Sequence, residues 1–102
     1  MTQFEVHTYR IGRRHSQLVV DVQTNLLSDL ASRLVIPLYP RAPSARLLPR
    51  LNPVFSIDSQ NYWLGVQDAA SVMQRDLSEP ITSLAHRRND IIAALDLLLT
   101  GV

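Results

Sequence analysis

The side chains of this sequence that could move protons near neutral pH are His7, His15 and His86. A histidine acting as general acid or base needs a carboxylate or a cation within hydrogen-bonding reach. These three are not clustered, and nothing local pairs any of them with an acid, so surface or strand-packing roles are expected. Arg13-Arg14 and Arg87-Arg88 have the charge and forked geometry to grip phosphate, although an adjacent exposed pair is usually just solvated. Tyr62 and Trp63 read as hairpin packing rather than a base-stacking platform. With no Cys there is no thiol nucleophile, disulfide or thiolate metal site. There is also no Gly-rich phosphate loop and no His-Glu-x-x-His. No catalytic residue, metal or cofactor is expected.

The 102 residues suit one domain with a single core. Hydrophobic residues make up 46% and charged residues 19%, too apolar for disorder. A formal charge of +1 argues against a broad basic surface that holds nucleic acid. All ten basic residues are Arg, which carries little functional weight. Absence of Cys fits a reducing compartment. The amino terminus shows no signal core, and no apolar run is long enough to span a bilayer. A cytoplasmic protein without membrane contact is expected.

The elements that would position these residues are mostly strands. Phe4, Val6 and Thr8 alternate with Glu5, His7 and Tyr9, and Leu18 to Val22 reads as the returning strand beyond the Gly12 to Ser16 loop. Thr24, Asn25, Ser28 and Asp29 make a corner before Leu34-Val35-Ile36-Pro37-Leu38, where Pro37 predicts an edge or bulge. Tyr39 to Arg50, bracketed by prolines, reads as an exposed loop with a short helical turn at 45–48. Val54 to Ile57, a turn at Asp58 to Asn61 and Tyr62 to Val66 predict a second hairpin. Another short strand is expected between Ala69 and Leu77, and Ser78-Glu79-Pro80 is a turn or helix-start signal. Short strands followed by one helix predict a small bent sheet or partial barrel that the helix closes or flanks.

From Asp90 to the final residue only Asp96 interrupts the apolar run. Ile91, Ile92, Leu95, Leu98 and Leu99 share a helical face with Leu84, and Ala94 and Leu97 widen it. Such a helix needs two surfaces to cover it, its own domain and a partner. Thr100-Gly101-Val102 then offers a flexible tip with a small apolar anchor beside a carboxylate.

The residues Gln3-Phe4, Asp21-Val22-Gln23-Thr24, Arg33-Leu34-Val35-Ile36-Pro37-Leu38, Ala70-Ser71-Val72 and His86-Arg87-Arg88-Asn89-Asp90-Ile91, with Gly101, run through nearly the whole chain. In that order they make the sequence resemble the CcdB family of plasmid-type toxins, which poison DNA gyrase. The resemblance implies one CcdB-like toxin domain over residues 1–102: mainly β with a C-terminal α-helix, a small SH3-like, partly open β-barrel that forms a homodimer. It implies no chemistry of its own. Such a toxin binds the DNA gyrase A subunit and traps the enzyme on cleaved DNA. A cognate antitoxin neutralises it, and the complex represses its own operon, touching operator DNA through the antitoxin.

Carried over by position, the gyrase-binding residues would be Gln3, Phe4, Thr24, Leu26, Leu27, Asp96, Leu99, Thr100, Gly101 and Val102. Arg10, Ile11, Gly12, Arg13 and Arg14, together with part of the Pro-rich loop, would meet the antitoxin. Ile91, Ala94, Leu95 and Leu98 would form the dimer interface. Two departures stand out: Thr100 replaces a Trp that could stack on a gyrase Arg, and Met73 replaces a Pro. An alternative is an endoribonuclease toxin of the related SH3-like barrel group, with His7 or His86 and an Arg as its machinery. A third is an inert relative that keeps only dimerisation and antitoxin binding.

Overall fold

Alternation builds the first hairpin in the computed structural model, which describes residues 2–43 and 46–101. Strand β1 (Glu5–Ile11) pairs antiparallel with β2 (His15–Asp21), and Val6 and Val20 meet in register with both side chains fully buried. Phe4 lies just before β1 with a φ of 71°, held by its own N–H donating to the Asp21 carbonyl (2.6 Å) and its carbonyl accepting from Leu84 (2.8 Å). A non-glycine residue at positive φ is costly, and here burial of the ring with bonds on both sides fixes it.

The third strand, β3 (Ser32–Pro40), occupies the centre of the sheet. Its Val35 to Pro37 pair with β2 on one side. On the other side, residues 32–35 pair with β6 (Ala70–Met73) and residues 38–40 with β5 (Gln60–Leu64). Pro37 therefore does not sit at an edge. Its carbonyl accepts from Gly65 (2.9 Å), so its nitrogen faces the same side, where the neighbour changes from β6 to β5 and neither ladder needs a donor.

Strand β4 (Val54–Ile57) pairs with β5 across Asp58 and Ser59, both at positive φ, which is the tight turn that suits a twisted hairpin. Beyond β6, the chain makes a 3-10 turn (Gln74–Asp76), bridges Tyr9 through Leu77 and adds β7 (Thr82–Ser83) to the open side of β1. The segment from 70 to 83 thus crosses from β3 to β1 and nearly closes the sheet into a barrel. Ser78 to Pro80 leads into this strand and not directly into the helix. The helical turn expected at 45–48 falls partly on Ala45, outside the described residues, and residues 46–48 form none.

A second 3-10 turn (Ala85–Arg87) leads into helix α1 (Arg88–Thr100). Ile91 and Ala94 are fully buried, and Ile92 and Leu95 pack beside them against a core made of Phe4, Val6, Val20, Ile36, Leu38, Phe55, Leu64, Val66 and Leu84 among others. The barrel-facing stripe is therefore centred on Ile91 and Ala94 rather than on Leu98 and Leu99. Arg87 is neither a solvated charge nor a phosphate grip. Its guanidinium lies 4.6 Å from the Phe55 ring centroid and donates to Asp90 (2.7 Å) and the Val54 carbonyl (3.3 Å), tying the helix start to β4.

Candidate functional site

Helix α1 is rooted in the barrel at one end and bare at the other. Past Ala94 its apolar residues emerge, until Leu99 is 76% exposed and Leu98 41%. Gly101 ends the helix at φ 76°, its N–H donating to the Leu97 carbonyl (3.0 Å), a left-handed cap that glycine adopts without strain. The Thr100 hydroxyl turns back to the Asp96 carbonyl (2.7 Å) and is spent inside the helix. Val102 lies outside the described residues.

A second apolar projection comes from the corner between β2 and β3. Residues Asn25–Leu27 make a 3-10 turn that Thr24 caps, and Leu26 is 92% exposed with Leu27 and Leu30 also open. Gln23 holds this corner: its side-chain amide donates to the carbonyls of Leu27 and Ser32 (both 3.1 Å) and its oxygen accepts from Leu34 (3.0 Å). Gln3 joins the same corner, its N–H donating to Asn25 (2.8 Å) and its side chain to the Val22 carbonyl (3.0 Å). Under the corner lies a fully buried ion pair, Arg33 to Asp21 at 2.6 Å. Arg33, Asp21 and Gln23 had no individual role in the sequence reading, although all three lie in segments that carried the family resemblance.

Three of the positions carried over from the resemblance are corrected by burial. Phe4, 3% exposed, is a core residue beneath the corner and not part of a surface patch. Ile91 and Ala94 are fully buried against their own barrel, so neither can face another subunit. A helix lying on a barrel must spend one stripe on that barrel, and these residues are the stripe. Leu95 and Leu98 remain on the flank and the open side.

At the opposite hairpin end, Gly12, Arg13 and Arg14 form the β1–β2 loop, and Arg10, Ile11 and His15 flank it, all exposed. A hollow of about 530 Å³ lies between this hairpin and the Arg75 to Ser78 segment. A neighbouring hollow of about 770 Å³ on the far side of that segment is lined by His7, Glu5 and Glu79, and by Arg75 as well. His7 itself is buried, and its Nδ1 donates to the Ser78 carbonyl at 2.8 Å. Its Nε2 is buried with no partner among the described residues. His15 and His86 are both exposed, on separate elements. The strand-packing role holds for His7.

Tyr39 braces the turn at Val66–Asp68, against which α1 packs. Its hydroxyl donates to Asp68 (2.8 Å), and the phenol is pushed up to about 12, first by burial and then by the hydrogen bond and charge of Asp68. Among the described residues no cluster of His, Asp and Glu could hold a metal ion, and no helix is long and apolar enough to cross a membrane.

The sequence profile described as CcdB protein matches residues 3–101. This chain belongs to the CcdB family. It is thereby a CcdB-family toxin of a toxin–antitoxin system. Two solved structures share its shape. One, described as an endoribonuclease in complex with its cognate antitoxin from Mycobacterial species, aligns with a TM-score of 0.80 at 14% identity, covering 97% of this chain and 94% of that one. The other, the Mycobacterium tuberculosis toxin MazF-mt6, aligns with a TM-score of 0.70 at 14% identity, covering 90% and 92%. At that identity these likenesses show that the CcdB-family chain shares its barrel fold with both proteins.

Proposed function

We propose that this protein acts by binding: it engages the DNA gyrase A subunit and holds gyrase on cleaved DNA, stabilising one state of a working enzyme. The observation that carries this reading is the exposed end of α1, where Leu99 stands free on a helix anchored by Ile91 and Ala94. Single exposed apolar side chains are ordinary, but adjoining ones mark a partner surface, and Leu98 and Leu99 stand open together at the helix end. Leu99, Thr100, Gly101 and Val102 form one part of the patch, with Asp96 a turn earlier. Gln3, Thr24, Leu26 and Leu27 form the other part, on the corner.

A homodimer would cover the flank carrying Leu95 and Leu98 and bring two helix tips together. The cognate antitoxin would cap the β1–β2 loop through Arg10, Ile11, Gly12, Arg13 and Arg14, in line with the antitoxin named in the endoribonuclease complex of the same fold. The toxin–antitoxin complex would repress its own operon through the antitoxin, and the setting would be the cytoplasm.

Purified protein added to gyrase in supercoiling and DNA-cleavage assays tests the reading. Accumulated cleaved DNA is expected. A protein that is folded and dimeric yet leaves both assays unchanged would sink it.

One observation favours a second reading. Arg75 and the carboxylates of Glu5 and Glu79 line the hollow that the buried His7 backs, so a cation and acid–base groups do converge on this barrel. Cleavage of RNA by the purified protein without gyrase, abolished by Arg75→Ala, would support an endoribonuclease instead.

A further inference from the structure

The net charge of +1 hides a strong local asymmetry. Four of the ten arginines, Arg10, Arg13, Arg14 and Arg75, line the single hollow of about 530 Å³ between the first hairpin and the 3-10 turn after β6. His15 joins them, and Asp76 is the one carboxylate in the lining. The backbone sets this convergence. Arg10 pairs with Ser16 across the hairpin, and Leu77 bridges Tyr9 while Ser78 donates to the Thr8 carbonyl (2.9 Å), which brings Arg75 alongside β1.

We propose that this hollow binds the phosphodiester backbone of a nucleic acid, independently of sequence. The lining supports phosphate over an acidic peptide. Besides the guanidinium forks it offers the hydroxyl side chains Thr8, Ser16 and Ser78, the mixture that contacts phosphate oxygens. Leu77 is its one apolar residue, half-buried already, so a bound peptide would find no pocket for an anchoring side chain. The ion pairs of the chain leave the four arginines alone: among the described residues, the two pairs use Arg33 and Arg87. The proposal does not rest on gyrase binding. It goes beyond the operon reading, because the contacts come from the toxin itself and read no bases. The antitoxin and nucleic acid would share Arg10, Arg13 and Arg14, so the two should exclude one another on the free toxin.

Fluorescence anisotropy of the full-length protein with labelled short duplex DNA and, in a second arm, single-stranded RNA of arbitrary sequence tests the proposal. With four arginines engaged, the slope of log affinity against log salt on duplex DNA should be roughly −3 to −4, about a hundredfold loss between about 50 and 200 mM salt. Arg75→Ala, and separately Arg13→Ala with Arg14→Ala, should flatten the slope by about one for each charge removed. Arg41→Ala, outside the hollow, should leave it unchanged, and circular dichroism confirms that each variant is folded. Binding in either arm with this pattern supports the proposal and assigns the source. No binding to either at low salt would overturn it. So would an equal loss with Arg41→Ala, or capture of polyglutamate where neither nucleic acid binds.

Discussion

Asp21 and Arg33 form an ion pair at 2.6 Å with both side chains wholly buried, joining the end of β2 to the start of β3. The same Asp21 supplies its other carboxylate oxygen to the Gln23 N–H (3.0 Å) and its carbonyl to Phe4 (2.6 Å). One aspartate thus fixes the amino-terminal segment, the corner and the central strand together.

Removing the charge of Asp21 leaves a guanidinium in the interior without its counter-ion. Asp21→Asn should lower unfolding stability by about 3–5 kcal/mol in urea titrations, the usual cost of breaking a buried pair. A loss below about 1 kcal/mol would mean that the pair is not the brace described. Replacing both partners with apolar residues of similar size should cost less, since desolvation of both charges disappears with them.

The helix tip should separate function from folding. Leu99→Asp alters a residue that is 76% exposed and should shift stability by no more than about 0.5 kcal/mol. Growth inhibition on expression should nevertheless be lost, as it should on deletion of Gly101 and Val102. Toxicity that survives both changes would remove the tip from the binding patch.

Gly65 is required by a neighbour and not by its own backbone. A Cβ there would overlap the Tyr39 ring, and Pro37 crowds the same spot. Gly65→Ala should cost about 1–3 kcal/mol through forced repacking. In a Tyr39→Ala background the same substitution should cost clearly less, a coupling that a double-mutant cycle in thermal melts would register. Simple additivity would contradict the contact.

Tyr39 gives the fold an alkaline limit. Its ordinary value of 10.0 rises to about 12 in the folded protein, so the neutral phenol is favoured by folding. The associated stability is fully present below pH 10 and is lost as pH climbs from 10 through 12. Urea midpoints measured across that window should fall more steeply for wild type than for Tyr39→Phe, which has no phenol to ionise. Parallel curves would refute the assignment.

Much of the architecture was legible in one dimension because it depends on local chemistry. Period-two alternation marked β1, and the apolar run after Asp90 marked the helix. The polar run Asp58 to Asn61 marked a hairpin turn that closes over Asp58 and Ser59, with Gln60 and Asn61 already in β5. The resemblance to CcdB toxins rested on short segments spread along the chain, and the family match over residues 3–101 agrees with it. Burial was harder to read. Phe4 was placed on a surface and Ile91 and Ala94 at a subunit contact, because helical and strand periodicity name a face without saying which body covers it.

Sequence alone determined the strand-rich plan, the family and the greasy carboxy-terminal helix, since each follows from residue order over a few turns. Only the tertiary structure decided which end of that helix is sunk, where Pro37 can sit without a donor, and that Arg75 joins Arg10, Arg13 and Arg14 at one hollow. Those outcomes depend on barrel closure, which brings together segments more than sixty residues apart, as when Ser78 bonds to Thr8, and no local pattern encodes that encounter.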